Sequence, residues 1–282
     1  LNIIPQPNHV KIEKGEYILK QAATLIFSGV ENSSKRLLTD YLIGAGYTLG
    51  SASTSPNKIV LIVDKSISNI GSDEGYRLEV KPNEITVSAR TQSGLFYGIQ
   101  SLVQLPGDSN KIPAISISDY PRFPYRGVHI DVGRHFFSVD FLKKQIDVMA
   151  HLKINRFHWH LTDGPGWRLE IKKYPLLTQK AAWRTHETWK EWWATNPREY
   201  VDIRSGKKAY GGFYTQNEAR EIVRYAAARH ITVIPEIEMP GHSEEVLAVY
   251  PELSCLGEPY KQSEFCIGNE KTFKFLENVL KE

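Results

Sequence analysis

Three segments in the second half of the chain alternate apolar and polar residues with the period of a β-strand. They are residues 127–133 (GVHIDVG), 155–161 (NRFHWHL) and 231–238 (ITVIPEIE). In each segment the apolar side chains share one face, and the opposite face is polar or mixed. The polar faces carry His129, Asp131, Arg156, His158, His160, Thr232, Glu236 and Glu238. Burying so many ionisable groups is costly, so we expect them to be paired with one another or to take part in binding or catalysis.

Helical patterns follow these strands. Ser138 is the predicted N-cap of a helix whose apolar residues recur at helical spacing, namely Leu142, Ile146, Met149 and Leu152. Thr215 and Glu218 form a capping-box signature, and the stripe behind it consists of Ile222, Val223 and Ala226. FKFLENVL begins a further helix. Strand and helix thus alternate three times, which predicts parallel βα units and, with the inward-facing polar residues, an α/β fold of the TIM-barrel type.

The first part of the chain has a different pattern. ATLIFSG and NKIVLIVD predict strands, and YRLEVKPNEITVSAR predicts a hairpin that turns at residues 81–84. SSKRLLTDYLIGAGY and TQSGLFYGIQSLVQL predict two helices. We therefore expect a small α+β domain at residues 1–120 and a barrel domain at residues 121–282, with the junction in SISDYPRFPYRG.

Composition narrows the classes of function. The 35 basic and 32 acidic residues give a net charge of +3 without a Lys/Arg run, which argues against a nucleic-acid partner. No apolar run reaches the roughly 18 residues of a membrane span. Cys255 and Cys266 either close a small disulfide loop or are two independent thiols. Nothing in the pattern indicates an oligomeric state.

Polar residues stand at the carboxyl ends of the three predicted strands, where barrel enzymes build their sites. They are Arg134, His160 with Asp163, and His242. A guanidinium can bind vicinal sugar hydroxyls or a carboxylate, and an Asp beside a His fixes its tautomer. Each residue also has an explanation without a functional role. Arg134 could form a surface ion pair, and His160 could be a hydrogen-bonded core histidine. Asp163 could cap a turn, and His242 could be a helix N-terminal residue.

Tryptophans could supply stacking walls for a sugar. Trp167 is one candidate, and a second group consists of Trp183, Trp189, Trp192 and Trp193. For this second group, packing of an inserted loop is the favoured interpretation.

Two other classes of function stay open at this point. His158 and His160 form an H-x-H pattern on one strand face, with His129 and Asp131 nearby, which is compatible with a metal-dependent barrel hydrolase. The arginine and the aromatic residues alone are compatible with a carbohydrate-binding protein that has no turnover.

Longer motifs carry a resemblance to a known family. YRGVHIDVGRHF, INRFHWHLTDGPGWRLEI, GGFYTQNEAREIVRYAAARHITVIPEIEMPGH and GLFYGIQSLVQL resemble consecutive segments of the β-N-acetylhexosaminidases of glycoside hydrolase family 20. The match runs in order from about residue 75 to residue 282, and the earlier part resembles the family's N-terminal accessory α+β domain more loosely.

The resemblance implies a retaining exo-glycosidase that removes terminal β-linked N-acetylglucosamine or N-acetylgalactosamine from a glycan. In this family the substrate assists: its 2-acetamido oxygen attacks the anomeric carbon, an enzyme Glu protonates the leaving oxygen, and a neighbouring Asp orients the acetamide. No metal or organic cofactor is implied. The habits of the family and a chain that opens on LNIIPQPN without Met also lead us to expect an exported protein.

Site residues carry over by position. Arg134 matches the arginine that holds the 3- and 4-hydroxyls of the terminal sugar. Asp163 and His242 match a buried pair that supports the acid Glu, and His160 matches a histidine that lines the same pocket. Glu236 is a further pocket candidate, and Trp167 is a candidate wall.

One departure from the family concerns the acid itself. The family's acid pair lies in a His-x-Gly-Gly-Asp-Glu motif, which this sequence lacks; its one Asp-Glu dipeptide is Asp73-Glu74, in the small domain. About three βα units cannot close an eight-stranded barrel. We therefore expect a fragment of a longer enzyme that is inactive alone. Linkage, epimer and aglycone preference are not indicated.

Overall fold

The chain divides into two compact units. A computed structural model describes residues 2–18, 22–46, 48–50, 57–106 and 110–282. The first unit comprises Leu1–Arg126 together with the short segments Asp147–Asn155 and Ala228–His230, and the second comprises Gly127–Ile146, Arg156–Ala227 and Ile231–Glu282. A small N-terminal domain thus precedes the parallel βα part, as the sequence predicts.

The first unit is built on a seven-stranded mixed sheet with the strand order β1-β7-β5-β6-β4-β2-β3. Two helices accompany the sheet among the described residues. Alternating side chains of the central strands are buried, and α2 buries most of its length. In chain order the elements are β1 (His9–Ile18), β2 (Ala22–Ser28), α1 (Asn32–Gly44), β3 (Thr48–Gly50), β4 (Lys58–Val63), β5 (Tyr76–Lys81), β6 (Glu84–Ala89), α2 (Gln92–Gln104) and β7 (Lys111–Asp119).

Most predicted elements of this unit are present. The hairpin is confirmed, since β5 and β6 pair antiparallel and close at Lys81 and Glu84. Both helices are confirmed, although Tyr47, at the end of the first predicted helix, lies outside the described residues. The prediction missed β1, β3 and β7. The last strand of this unit, β7, runs into the predicted junction segment SISDYPRFPYRG and ends there at Asp119.

The second unit contains a three-stranded parallel sheet with the order β14-β9-β8. The three predicted strands and their parallel arrangement are therefore confirmed. The elements are β8 (Gly127–Asp131), α3 (Val139–His151, whose residues from Asp147 onward belong to the first unit), β9 (Arg156–His160), β10 (Thr162–Asp163), β11 (Gly166–Trp167), α4 (Leu176–Gln179), β12 (Trp183–Arg184), α5 (Trp189–Trp193), β13 (Tyr210–Gly211), α6 (Gln216–Ala227), β14 (Thr232–Glu236), α7 (Glu244–Leu247), α8 (Glu270–Lys281) and 3₁₀ turns at Ile203–Ser205 and Pro251–Leu253.

The predicted helix caps are present. Ser138 Oγ accepts a hydrogen bond from Phe141 N at 3.2 Å, and α3 starts at the next residue after Ser138. Thr215 N donates to Glu218 Oε2 at 2.8 Å while Glu218 N donates to Thr215 Oγ1 at 3.2 Å, which completes the capping box.

Two side chains depart from the predicted apolar faces. Ile222 and Ala226 are buried, but Val223 is 47% exposed, because one residue further along a helix turns about 100° away from the core stripe. Pro235 is exposed on β14, which pairs only with β9 among the described residues. An edge strand tolerates a proline because its missing N–H faces away from the ladder.

Within the described residues, no helix combines the length and the apolar character needed to cross a membrane.

Candidate active site

The register of the parallel sheet sets the base of the site. Asp131 on β8 lies opposite His160 on β9, and His160 lies opposite Glu236 on β14. Side chains at the same level of a sheet point to the same face. His160 is therefore flanked by a carboxylate on each neighbouring strand.

His160 is buried, with 3% of its surface exposed, and both its ring nitrogens contact carboxylates. Nδ1 lies 2.7 Å from Glu236 Oε2, and Nε2 lies 3.0 Å from Asp163 Oδ2. Burial by itself lowers the pKa of this imidazole, but the hydrogen bonds to Asp163 and Glu236 and the nearby negative charges outweigh burial and raise the pKa to about 9. His160 is thus an imidazolium at neutral pH that donates to both acids.

Asp163 collects three cationic or ionisable partners on one oxygen. Its Oδ2 lies 2.8 Å from Arg134 Nη2, 3.0 Å from His160 Nε2 and 3.1 Å from His242 Nδ1. Burial raises the pKa of this carboxyl, but the hydrogen bonds to His160 and His242 and the charge of Arg134 bring it below its ordinary value. Asp163 is therefore ionised, although only 4% of its surface is exposed.

A close backbone approach brings Asp163 to this position. It lies on β10, which pairs with β11 in a two-residue ladder. A Cβ atom on Gly133 would lie 2.9 Å from Asp163 Cβ and 3.0 Å from Asp163 N, closer than real Cβ contacts. Gly133, the last residue of the first predicted strand, thus leaves the space that Asp163 fills.

Arg134 is held by two aspartates. Its backbone N donates to Asp131 Oδ1 at 3.0 Å, Nη1 donates to Asp131 Oδ2 at 2.6 Å, and Nη2 contacts Asp163. Burial lowers the pKa of the guanidinium, but Asp131 and Asp163 outweigh that effect and raise it. About a third of the side chain is exposed (36%), so the guanidinium can meet a ligand. Asp131 is a site residue that the sequence suggested only as a metal ligand.

His242 closes the cluster from the loop after β14. Its side chain is 59% exposed, and its backbone adopts a φ of 53°. Because Nδ1 contacts the ionised Asp163, the opposite ring nitrogen remains available to a ligand or to a neighbouring acid. Arg134, His160, Asp163, Glu236 and His242, which the sequence predicts as site residues, therefore lie together.

The structure does not bring Trp167 to this cluster. Its indole is 1% exposed and lies in a hydrophobic core, with Nε1 donating to Leu169 O at 2.5 Å. The β10–β11 ladder turns the side chain inward, so it offers no wall to a ligand in this chain. In the second tryptophan group Trp192 is fully buried, whereas Trp189 and Trp193 are 45% and 51% exposed.

Two buried arginines donate hydrogen bonds to the backbone that carries the site. Arg168 Nε donates to Val132 O at 3.0 Å, Nη2 to Gly133 O at 2.8 Å, and Nη1 to Ala182 O at 2.6 Å and to Gly212 O at 3.1 Å. Arg184 Nη1 donates to Arg134 O at 2.9 Å. The carbonyls of residues 132, 133 and 134 are thus all fixed. Sequence patterns missed both arginines, because neither belongs to a periodic stripe of apolar and polar residues.

The proposed H-x-H metal set is only partly assembled. His129 Nε2 and His158 Nε2 lie 3.5 and 2.8 Å from Glu236 Oε2, and the three donor atoms lie within 4.8 Å of one another. Two imidazoles and a carboxylate suit zinc. However, the same Glu236 oxygen accepts from the protonated His160, and Asp131 is engaged by Arg134. The ring nitrogens of His160 thus contact carboxylates, and His160 does not join His158 in a metal-binding pair.

Parallel strands alternating with helices, with polar groups converging at the carboxyl edge, define the class of (β/α)-barrel enzymes. Residues 123–282 match the model of the glycosyl hydrolase family 20 catalytic domain, and residues 1–120 match that of glycosyl hydrolase family 20, domain 2. The chain belongs to glycosyl hydrolase family 20, as its motifs predicted.

Relatives carry the names of glycosidases. A β-hexosaminidase of Porphyromonas gingivalis is 37% identical over 306 aligned residues, which cover 100% of this chain and 37% of the relative. A β-hexosaminidase of Vibrio furnissii is 39% identical over 261 residues, 89% of this chain and 40% of the relative. The chain therefore spans well under half the length of these relatives.

Solved structures agree in fold. The β-N-acetylhexosaminidase of Bacteroides fragilis has a TM-score of 0.79 at 36% identity, covering 99% of this chain and 53% of that one. A mutant Streptomyces plicatus β-hexosaminidase in complex with its product, GlcNAc, has a TM-score of 0.81 at 33% identity, covering 99% and 55%. The predicted fold class, part of a TIM barrel after a small α+β domain, is confirmed.

Proposed function

We propose that this chain supplies the sugar-binding wall of an exo-acting, retaining β-N-acetylhexosaminidase that works by substrate assistance. The observation that carries the proposal is the Arg134–Asp163–His242 cluster, joined through one oxygen of Asp163. Its relatives are β-hexosaminidases, and one similar structure holds GlcNAc. The ligand is the terminal, non-reducing N-acetylhexosamine of a glycan.

Arg134 binds the ring hydroxyls in this proposal. Asp131 and Asp163 each fix one terminal nitrogen of the guanidinium, so its plane is set before a ligand arrives. In this proposal the N–H groups of Arg134 that these aspartates do not engage donate to the vicinal 3- and 4-hydroxyls. A preorganised fork costs less side-chain entropy on binding than a free one.

Asp163 and His242 act on the acid. The ionised Asp163 accepts the Nδ1 hydrogen of His242, which leaves the other ring nitrogen to contact and orient the acid Glu of the family mechanism. His160 keeps Asp163 charged, because an imidazolium lies 3.0 Å from its oxygen. His160 and Glu236 thus act through electrostatics at the base of the pocket.

The bond-breaking groups are not among these residues. In the proposed reaction the 2-acetamido oxygen attacks the anomeric carbon, a Glu protonates the leaving oxygen and an Asp orients the acetamide. The sequence lacks the Gly-Gly-Asp-Glu motif that carries this acid pair. We propose that a longer parent protein supplies it, and that the 282-residue chain binds the sugar without hydrolysing it.

We also propose an exported protein. The Cys255–Cys266 disulfide of the structure supports that location, because such bonds persist in oxidising compartments.

Calorimetry with N-acetylglucosamine tests the proposal. We expect weak binding by the wild-type chain, loss of that binding in Arg134→Ala, and no change in Arg204→Ala, an exposed arginine paired with Asp202 elsewhere in the unit. Equal binding by wild type and Arg134→Ala would contradict the assigned role of Arg134.

A chromogenic N-acetylglucosaminide tests the second half of the proposal. We expect no release of the chromophore above the buffer rate. Hydrolysis by the purified chain would show that it carries an acid outside the family motif. An Asp-Glu pair further along the encoding gene would favour an enzyme over a carbohydrate-binding protein without turnover.

A further inference from the structure

A cavity of about 300 Å³ lies within the first unit. Every residue that lines it belongs to that unit. The lining comes from the start of the chain, from β5 and α2, from the end of β7 with the segment that follows it, and from Lys153. We call it the β7 cavity. None of its residues has a role in the proposed mechanism.

Aromatic rings and prolines form the mouth of the β7 cavity. Phe123 is 60% exposed and Tyr120 is 39% exposed, although large aromatic side chains are usually buried. Pro5 and Pro121 line the cavity beside them. The Arg122 guanidinium lies 5.2 Å from the centre of the Phe123 ring. These surfaces suit the stacking of a ligand that contains an aromatic ring.

The inner end of the cavity is charged. Lys153 and Asp119 are 6% and 8% exposed. Lys153 Nζ donates to Tyr76 Oη at 2.8 Å and to Asp119 Oδ2 at 3.1 Å, and Asp119 Oδ1 accepts from Asn8 N at 3.1 Å. Both carboxylate oxygens are therefore engaged. An ammonium has three N–H donors, and the third donor of Lys153 has no acceptor among the described residues.

Arg126 adds a second unmet donor. Its Nε donates to Lys153 O at 2.7 Å, and its Nη1 donates to Phe123 O at 2.8 Å. Nη1 also lies 2.8 Å from Glu74 Oε2, an ion pair without hydrogen-bond geometry. Nη2 is buried and makes no hydrogen bond with any residue that the structure describes. Because an unpaired buried N–H group is costly, a ligand that supplies an acceptor gains affinity here.

The charges of the lining favour an anion. Three cations, Arg122, Arg126 and Lys153, stand against two acids, Glu74 and Asp119. Each acid is already paired with a cation of the lining, Glu74 with Arg126 and Asp119 with Lys153. The unmet capacity therefore consists of N–H donors on positively charged groups, which bind carboxylates better than neutral acceptors.

We propose that the β7 cavity binds a small aromatic carboxylate. Its ring stacks on Phe123 and Tyr120, and its carboxylate accepts hydrogen bonds from Arg126 Nη2 and Lys153. Nη2 is shielded from water in the unbound chain, so a side chain at the mouth turns aside when the ligand binds. The volume lies at the small end of ligand pockets and suits a ligand with a single ring.

Calorimetry with three probes tests the chemical class of the ligand. Phenylacetate carries a ring and a charge, phenylacetamide keeps the ring without the charge, and acetate keeps the charge without the ring. We expect the 282-residue chain to bind phenylacetate about 10-fold more tightly than either other probe. A charge-assisted hydrogen bond and a stacked ring each contribute about this factor.

Two variants test the location. Phe123→Ala should weaken phenylacetate binding about 10-fold. Tyr125→Ala is its matched control, because Tyr125 is 57% exposed in the same segment but does not line the cavity. Arg126→Gln should remove the preference for phenylacetate over phenylacetamide. Arg36→Gln, in an arginine whose side chain is 83% exposed on α1, should keep that preference.

Circular dichroism checks that each variant is folded, and the three probes with Phe123→Ala decide the question if Arg126→Gln misfolds. Equal affinity for phenylacetate and phenylacetamide in the wild-type chain overturns the proposal, as does an absence of phenylacetate binding. Phenylacetate binding that survives in Phe123→Ala but is lost in Arg134→Ala assigns the probe to the sugar site and also overturns it. N-acetylglucosamine binding should be unchanged in Phe123→Ala, so failure of the cavity proposal does not affect the proposed function.

Discussion

His160 donates one ring hydrogen to Asp163 and the other to Glu236. Its pKa of about 9 lies above the ordinary value of 6.5, so the folded state holds this proton more tightly than the unfolded chain does. The stability that His160 contributes is fully present below pH 6.5 and is lost as the pH rises through 9. The partners that raise the pKa are the same carboxylates that form the sugar site.

We therefore predict that the wild-type chain loses stability between pH 7 and pH 9 and that His160→Gln removes this slope. Urea denaturation at several pH values measures it, and ring ¹⁵N chemical shifts report the proton directly. His151→Gln, in a histidine outside the cluster, is the control. A neutral His160 ring at pH 7 would contradict the two-carboxylate geometry.

The site residues at strand ends could be predicted from the sequence, whereas the buried residues that hold them in place could not. Arg134, Asp163 and His242 each follow a segment with a clear alternation, so the barrel rule brings them together. Arg168 is fully buried against backbone carbonyls, and no local sequence pattern predicts which carbonyls accept its hydrogen bonds. Trp167 misled the prediction, because exposure depends on which way a two-residue ladder turns.

At the scale of elements, Arg168 ties its own segment to three others through the carbonyls of Val132 and Gly133, of Ala182 and of Gly212. A lysine keeps the charge but has one nitrogen in place of a planar fork. It would leave several buried carbonyls without a donor, each at a cost of about 1–3 kcal/mol.

We predict that Arg168→Lys lowers the free energy of unfolding by about 3 kcal/mol and weakens N-acetylglucosamine binding, because the backbone before Arg134 is released. Urea denaturation and calorimetry measure the two effects. Arg204→Lys, in an exposed arginine, should change stability by less than about 0.5 kcal/mol. An Arg168→Lys chain with wild-type stability and affinity would show that the carbonyl bonds do not position the site.

The disulfide loop is a second element with a testable role. Cys255 and Cys266 are bonded and 11 residues apart, so the bond restricts a short loop in the unfolded chain. We expect the double variant Cys255→Ser/Cys266→Ser to lose about 2–3 kcal/mol of stability. A reductant should destabilise the wild type by the same amount and leave the double variant unchanged. A reductant effect on the double variant would point to another cause.

The strand β9, which buries one face, could be predicted, whereas β1, an almost fully exposed edge strand, could not. β9 buries Phe157 and Trp159 on one face, which made its alternation visible. β1 is exposed along almost its whole length and pairs with β7 through main-chain bonds, with a register shift between Ile12 and Glu16. Such a strand has no hydrophobic period to detect.

At the scale of the whole molecule, the parallel sheet has two open sides. β8 and β14 each pair only with β9 among the described residues. Unpaired N–H and C=O groups on a strand edge are a template for another chain. The motifs predicted barrel strands, but periodicity alone does not say how many neighbours a strand acquires, because pairing is a long-range property.

We predict that the 282-residue chain self-associates through these edges. A lysine at Thr232, an exposed position on β14, should oppose association, because charged residues protect natural sheet edges. Size-exclusion chromatography with light scattering, from low to high micromolar concentration, measures the mass. Ser205→Lys adds the same charge at an exposed position in a 3₁₀ turn and should leave association unchanged. A wild type that stays monomeric throughout would contradict the prediction. If both lysines reduce association equally, general charge repulsion explains their effect and the sheet edges are not the cause.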